Sequence, residues 1–156
     1  HLIQKVLDIL NPSLNSSNIE VIKNIDDFEF VTIENDLIQI LMNIITNAKD
    51  ALIDLKDEKA RYIFINISKN QKNIVIEIFD NAMGIKDEII SRVFEPYFTT
   101  KHKSQGTGIG LYMSKILVDN NLKGNIALEN HTFIYNNKEF KGAKFIILLP
   151  IKLEKK

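Results

Sequence analysis

A row of polar side chains runs through the apolar segment at residues 36–52. Gln39, Asn43, Asn47 and Asp50 follow one another at spacings of four, four and three residues, which place side chains on one face of an α-helix. The other positions are mostly Leu, Ile, Met and Ala, so the helix is expected to be buried on nearly every side. Because a buried polar group without a partner costs about 1–3 kcal/mol, this row needs a hydrogen-bond network with strands or water, or a polar ligand.

Three alternate glycines lie at the start of the last predicted helix. Gly106, Gly108 and Gly110 belong to the motif GTGIGL, and a helical pattern begins at Leu111. Residues without a Cβ let backbone N–H groups approach a ligand closely, and a helix N-terminus presents N–H donors and partial positive charge. The motif therefore suits a polyphosphate, although a tight loop that merely starts a helix would look the same. Its spacing differs from the Walker and dinucleotide-binding motifs.

An acidic residue ends an apolar strand pattern at residues 74–79. Asp80 begins the motif DNAMGI, which also contains Gly84. A carboxylate that leaves a buried strand is costly unless it has a fixed hydrogen-bond donor, and the exocyclic amine of adenine would be such a donor. A β-turn with Asp at its first position is the alternative.

The composition limits the class of protein. The 156 residues suffice for one domain with its own core, and the absence of cysteine fits a reducing compartment. Twenty basic and 20 acidic residues balance, so nucleic-acid binding is not expected. No apolar run approaches the roughly 20 residues of a membrane span. The chain starts at His1 without an initiator Met, so we expect a piece of a longer protein.

The predicted elements that position these motifs alternate between helix and strand. Asn11-Pro12 should end the first helix. Asn35 or Asp36 should cap the second, and Asn136-Asn137 should form a turn between the last strands. Helices are predicted at residues 2–10, 36–52, 86–94 and 110–120, and strands at residues 19–25, 28–33, 62–68, 73–80, 125–129, 132–135 and 143–149. This order predicts an α+β fold, a two-layer α/β sandwich in which helices cover one face of a mixed sheet and the other face is partly open.

Four motifs together resemble a known family. They are NIITNA at residues 43–48, DNAMGI at residues 80–85, FEPYF at residues 94–98 and GTGIGL at residues 106–111. In this order and with these separations they resemble the ATP-binding domain of sensor histidine kinases, within the superfamily of gyrase, heat-shock chaperone, histidine kinase and mismatch-repair ATPases. The resemblance implies a Bergerat-type fold and a single catalytic ATP-binding domain over residues 1–156.

The resemblance also implies roles for individual residues. Asn47 corresponds to the residue that holds Mg²⁺ between the phosphates, Asn43 supports the phosphate end, and Asp50 lies at the rim of the pocket. Asp80 corresponds to the adenine-binding carboxylate, and Gly84 gives room for the ring. Residues 99–105 correspond to a mobile lid rooted in the aromatic motif. The remaining ATP-binding candidates are Ile85, Tyr97, Thr99, Thr100, Lys101, Gly106, Thr107, Gly108, Ile109, Gly110 and Leu111.

Two residues depart from the family pattern. Ala82 stands where the first glycine of the adenine-binding motif is usual, which predicts a tighter backbone and lower nucleotide affinity. Ala143 stands where many relatives have a small hydroxyl residue behind the adenine-binding acid.

The expected chemistry is phosphoryl transfer. Gyrase-like members have a general-base Glu one helical turn before the Mg²⁺-binding Asn, whereas Asn43 cannot take a proton. Slow hydrolysis and transfer to another nucleophile are therefore expected. His1, His102 and His131 lack the sequence context of a phosphoacceptor helix, so the acceptor histidine should lie outside this chain.

The expected cofactors are ATP and Mg²⁺. The expected partners are upstream dimerisation and phosphoacceptor helices of the same protein and a downstream response regulator, with neither nucleic acid nor membrane contacted by this domain. The location should be cytoplasmic, with a full-length protein that could be anchored in a membrane. Two alternatives are an anti-sigma-type serine kinase and a protein-binding module that has lost nucleotide, to which Ala82 points.

Overall fold

The computed structural model describes residues 2–55, 60–98 and 110–151. The helix that begins at Gly110 continues into a short π-helical segment, Leu117–Asn121. In the described ranges the helices are α1 (Leu2–Ser16), α2 (Glu34–Ile53), α3 (Asp87–Ile90) and α4 (Gly110–Ile116), and the strands are β1 (Ile19–Ile25), β2 (Arg61–Lys69), β3 (Asn73–Asp80), β4 (Asn125–Tyr135) and β5 (Lys138–Pro150).

The five strands form one mixed sheet in the order β1-β2-β3-β5-β4. β1 and β2 are parallel, whereas the other neighbouring pairs are antiparallel. Parallel strands need a crossover connection, and α2 lies in the connection between β1 and β2. The predicted α+β fold with a mixed sheet is confirmed.

The hydrophobic core lies between α2 and one face of the sheet. Alternate isoleucines of β2 and β3 point to this face because side chains alternate along a strand. α1 and α4 contact α2, so α2 is the central helix. The fully buried members on α2, β2 and β3 include Leu37, Ile40, Leu41, Ile44, Ile45, Ile63, Ile65, Ile74, Ile76 and Ile78.

The opposite face of the sheet is covered in part by the β4–β5 hairpin. Tyr62 on β2 lies 5.0 Å from Tyr135 on β4 between ring centroids, and Phe64 lies 5.1 Å from Phe133. β3 and β5 separate β2 from β4 in the sheet, so the end of the hairpin must bend over this face. The partly open face predicted from the sequence therefore carries an aromatic cluster.

Two local predictions in the first third of the chain are wrong. α1 does not end at Asn11-Pro12 but continues to Ser16 with Pro12 inside it. Burial of Leu14, which is 1% exposed, holds the last turn and outweighs the hydrogen bond that Pro12 cannot donate. Residues 28–33 form no strand: only Val31 makes a single bridge. The aromatic alternation there reflects packing of Phe28 and Phe30 against the core.

Other element boundaries also differ from the predictions. α2 begins at Glu34, and Ile33 at its N-cap makes no side-chain capping bond, so the predicted cap at Asn35 or Asp36 is wrong. The helix predicted at residues 86–94 is limited to Asp87–Ile90. The strands predicted at residues 125–129 and 132–135 are one strand, β4, because its pairing with β5 is continuous.

The predicted turn between the last strands is confirmed. Asn136 and Asn137 have φ values of 52° and 62°, as a two-residue hairpin of type I′ requires. β5 begins directly after the turn, at Lys138, five residues before the predicted start.

Candidate functional site

The polar row of α2 meets the start of α4. Asn43 Nδ2 donates to Ser114 Oγ at 3.1 Å and to the Gly110 carbonyl oxygen at 3.3 Å. Ser114 is completely buried and lies one turn after Gly110, so both acceptors face α2. The polar partner expected for Asn43 is thus supplied by α4. Ser114 was missed in the sequence analysis, although its spacing of four from Gly110 would have indicated it.

The other members of the row lie at different depths. Asn47 and Asp50, one and two turns after Asn43, are half-buried. Gln39 is exposed, so the expectation that this row is buried throughout is wrong at its first member. Solvent can satisfy its amide on the outer side of the helix, although the adjacent Ile40 is fully buried. The part of the polar row that is at least half-buried therefore runs from the contact with α4 at Asn43 towards the C-terminal half of α2.

Asp80 is the last residue of β3 and is 4% exposed. The alternation along β3 places it on the helix-covered face, with Ile76 and Ile78. Its Oδ1 accepts from Ala82 N–H at 2.9 Å and from Ala143 N–H at 3.4 Å. Burial raises the pKa of Asp80 to about 6, and these two backbone hydrogen bonds oppose the rise. The carboxyl group is therefore ionised at neutral pH at a cost in stability.

The segment after Asp80 is fixed to the β4–β5 hairpin. Met83 N–H donates to the Lys141 carbonyl oxygen at 2.9 Å. Asn130 Oδ1 accepts from Ile85 N–H at 2.8 Å, and Asn130 Nδ2 donates to the Ile85 carbonyl oxygen at 2.7 Å. Met83 and Gly84 have positive φ values of 73° and 87°. Gly84 is required there, because a Cβ would lie 2.6 Å from Asn130 Oδ1.

Asn81 joins the same segment to the start of β2. Its Oδ1 accepts from Tyr62 N–H at 2.9 Å, and its Nδ2 donates to the Ala60 carbonyl oxygen at 2.8 Å. Neither Asn81 nor Asn130 was singled out from the sequence. Both bind backbone groups at least 19 residues away, and such contacts leave no local periodic pattern.

Ala82 does not need the conformational freedom of glycine. Among the described residues with positive φ, Met83 and Gly84 are present in this loop and Ala82 is not. Ala82 packs half-buried against the core, while its N–H holds Asp80. The backbone at this position therefore accommodates Ala82 without the positive φ that favours glycine.

The aromatic motif follows α3. The Phe94 ring lies 6.4 Å from the Phe145 ring, edge to face, and Phe98 lies under the Arg92 guanidinium at 4.5 Å. Tyr97 has φ of 64° and is 77% exposed, so its ring is not held against the residues around Asp80 or Asn43. The candidates Thr99, Thr100, Lys101, Gly106, Thr107, Gly108 and Ile109, and the predicted lid, lie outside the described residues.

The buried polar residues of the described chain concentrate at this region. They are Asp80, Asn81 and Ser114. Asp80 ends β3, Asn81 follows it, and Ser114 contacts Asn43. Elsewhere in the described part of the chain the core is apolar, so selection for stability alone does not explain why polar groups collect here.

A metal ion at this site would have few protein ligands. Within residues 2–55, 60–98 and 110–151, no group of three or more His, Cys, Asp or Glu could hold one. Mg²⁺ often takes one or two protein oxygens and completes its shell with water and substrate phosphates. The half-buried Asn47 amide fits that role for an ion that arrives with phosphates.

The mixed sheet is covered by a central helix that carries a row of polar side chains, and one of its strands ends in a buried acid. This combination is typical of two-layer ATP-binding domains. The chain belongs to the family of histidine kinase-, DNA gyrase B- and HSP90-like ATPases, whose family model matches residues 32–153. Together with the relatives and solved structures that follow, this match confirms the resemblance to the ATP-binding domain of sensor histidine kinases.

A named relative agrees with this assignment. Sporulation kinase E of Bacillus subtilis (strain 168) is 30% identical over 154 residues, which are 97% of this chain and 19% of that protein. This chain thus spans about a fifth of that relative's length.

Within the described ranges we find no helix with both the length and the apolarity to cross a membrane.

Solved structures share the fold. The catalytic domain of the histidine kinase ThkA superposes with a TM-score of 0.80 at 25% identity, covering 99% of this chain and 93% of that one. ThkA has also been solved in complex with the response regulator TrrA, with a TM-score of 0.75 at 22% identity over 99% of this chain and 41% of that one. Full-length ShkA in complex with AMPPNP gives 0.75 at 19% identity, covering 99% of this chain and 30% of that one.

Proposed function

We propose that this chain is the catalytic domain of a two-component sensor kinase, which binds Mg-ATP and donates the γ-phosphate to a histidine outside residues 1–156. The observation that carries the choice of kinase over hydrolase is the hydrogen bonding of Asn43. Its amide donates to Ser114 and Gly110 and has no basic atom. The position from which a general base would activate water therefore holds a donor tied to α4.

The adenine end of the proposed site is built around Asp80. Its carboxylate is buried, ionised at neutral pH and held in one orientation by two backbone N–H groups. Such a group can accept a hydrogen bond from the adenine amine, whereas the guanine carbonyl at the equivalent position would repel it. Gly84 and Ile85 then border the ring. ATP should be preferred over GTP for this reason.

The phosphate end is built on α2 and α4. Asn47 supplies an amide oxygen for Mg²⁺, Asn43 fixes the start of α4, and Asp50 lies at the rim. Gly110 and Leu111 open α4, where backbone N–H groups face incoming phosphate oxygens. Residues 99–105 complete the site as a lid in this proposal, with Tyr97 at its root and the glycine motif after it. When bound, Mg²⁺ neutralises the charge that develops on the phosphates.

The acceptor histidine lies elsewhere in the proposal. Within the described residues the one histidine, His131, belongs to the aromatic cluster: its ring stacks at 5.4 Å on Phe133 and meets Phe79 at 5.2 Å. Because β4 side chains alternate, His131 faces away from the sheet side that carries Asp80. We therefore assign the acceptor to upstream dimerisation helices, with a response regulator downstream and a cytoplasmic location. Neither nucleic acid nor membrane is contacted by this domain in the proposal.

Calorimetry tests the nucleotide site first. Titration with ATP in Mg²⁺ should show one binding site, weaker binding in EDTA and weaker binding of GTP. Asn125→Ala, a change at an exposed position of β4, is the control and should match the parent. Absence of binding under every condition would favour the protein-binding alternative to which Ala82 pointed.

A further inference from the structure

The β4–β5 pair holds the loop after Asp80 at both of its ends. Asn130 and Ala143 are direct partners in the antiparallel register. Ala143 N–H contacts Asp80 at the beginning of the loop, whereas Asn130 binds Ile85 at its end. One cross-strand pair therefore fixes the separation between the carboxylate and the far side of the loop.

The contact between Asn130 and Ile85 has the geometry of a peptide pair. The side-chain amide accepts from Ile85 N–H and donates to the Ile85 carbonyl oxygen, at 2.8 and 2.7 Å. Both bonds are partly buried and join positions 45 residues apart. Among the uncharged side chains only Asn and Gln can make this two-bond contact, and Gln would be one methylene too long here. The side chain of Asn130 thus pairs with the backbone of Ile85 in the way that the backbone of a neighbouring strand would.

We call the two hydrogen bonds between Asn130 and Ile85 the clamp. The loop of residues 81–85 needs the clamp because its backbone is strained. Met83 is a non-glycine residue with φ of 73°, a conformation that costs of order 1 kcal/mol and persists only when its surroundings hold it. At the next residue, Gly84, there is no room for a side chain, because an added Cβ would collide with Asn130 Oδ1. The clamp and the glycine are therefore fitted to each other.

We infer that Asn130 is a positioning residue for base recognition: it sets the position of residues 83–85 relative to Asp80 and thereby determines the preference for adenine. This inference rests on the proposed function. Asn130 itself touches the loop rather than the nucleotide. Without it, Asp80 remains anchored by Ala82 and Ala143, but the opposite border of the ring pocket is free to shift.

The test compares three ligands for Asn130→Ala, for the parent and for the control Asn125→Ala. Loss of two neutral hydrogen bonds should weaken Mg-ATP binding by about tenfold and reduce the ratio of ATP to GTP affinity by a similar factor. Binding of Mg-tripolyphosphate, which has no base, should stay the same. A purely structural role would lower the folded fraction and weaken all three ligands together. An unchanged ratio of ATP to GTP affinity in the folded variant overturns the inference.

Amide exchange provides a readout that does not depend on nucleotide. In the parent without ligand, Ile85 N–H should be protected, and Asn130→Ala should speed its exchange by at least tenfold, whereas Asn125→Ala should not. If the parent fails to bind ATP but Ile85 behaves as expected, the proposed function fails and the clamp stands. If Ile85 exchanges equally fast in parent and variant, the clamp itself is wrong.

A double-mutant cycle tests the fit between Asn130 and Gly84. Gly84→Ala alone should reduce ATP affinity, because its Cβ collides with Asn130 Oδ1. The same change should cost less in the Asn130→Ala background, since that background removes the colliding atoms and leaves only the strain of the positive φ at Gly84. Strictly additive effects would contradict the inference. If Asn130→Ala does not fold, Asn130→Asp takes its place, because it retains the acceptor for Ile85 N–H and loses the donor.

Discussion

Replacing Asp80 by Asn should have opposite effects on stability and on nucleotide affinity. Burial raises the pKa of Asp80 from 3.8 to about 6, a difference that corresponds to about 3 kcal/mol. Because the folded protein holds this proton more tightly than the unfolded chain, the stability contribution is fully present below pH 3.8 and is lost as pH rises through about 6. At neutral pH the ionised carboxylate is therefore a cost to the fold.

An amide at this position removes the charge and keeps the Oδ1 acceptor for Ala82 and Ala143. Its new NH₂ group is itself buried, so we expect a net gain of about 1–2 kcal/mol in the free energy of unfolding near neutral pH. The same change removes the charged acceptor for adenine. ATP affinity should fall by about 1–3 kcal/mol, and the preference over GTP should shrink.

Urea unfolding followed by circular dichroism and calorimetry with ATP and GTP measure the two effects. The stability difference should be largest near pH 7 and should fade towards about pH 4, where Asp80 is protonated in the folded parent. Glu139→Gln removes an exposed carboxylate from the same hairpin and serves as the control. A variant that is less stable than the parent at neutral pH, or a pH-independent difference, would refute this reasoning.

Three further predictions follow from single residues. Asn47→Ala should weaken Mg²⁺-dependent ATP binding by at least tenfold with an unfolding midpoint close to the parent; equal affinity in calorimetry would remove Asn47 from the site. Ala143→Ser should place a hydroxyl donor beside Asp80, lower its pKa and strengthen ATP binding several-fold, and an unchanged carboxyl titration by NMR would argue against that contact. Burial in the aromatic cluster, with Lys144 adding to the effect, lowers the pKa of His131 below 6.5, so the contribution of His131 to stability is complete above that pH and falls as pH drops through it. His131→Phe should therefore gain stability relative to the parent as the pH falls below 6.5, and parallel pH profiles would contradict this.

The sequence was sufficient where a pattern is local. The polar row of α2, the acid at the end of β3 and the turn at Asn136-Asn137 all follow from spacing or residue type. The requirement of Asn43 for a polar partner was predicted from the cost of burial alone. The order of the predicted elements indicated the two-layer α+β class, and the family motifs then indicated a Bergerat-type fold within it.

The sequence was insufficient where tertiary contacts decide. Pro12 signals a helix end, but burial of Leu14 extends α1 beyond it. Phe28 and Phe30 alternate as in a strand, yet their packing against the core satisfies them without a ladder. Asn130 lies 45 residues from the backbone that it binds, and nothing in its neighbourhood distinguishes it from a surface Asn of a strand.

In the proposed function this chain donates phosphate but does not accept it. Incubation with γ-labelled ATP tests this directly, first alone and then with a separate fragment that carries the upstream helices of the same protein. We predict very slow hydrolysis, no labelling of the chain itself, and weak labelling of the fragment, since tethering is lost. The transferred phosphate should resist alkali and be lost in acid, as expected for phosphohistidine. Stable labelling at His1, His102 or His131, or an acid-resistant, alkali-labile product that indicates phosphoserine, would contradict the proposed function.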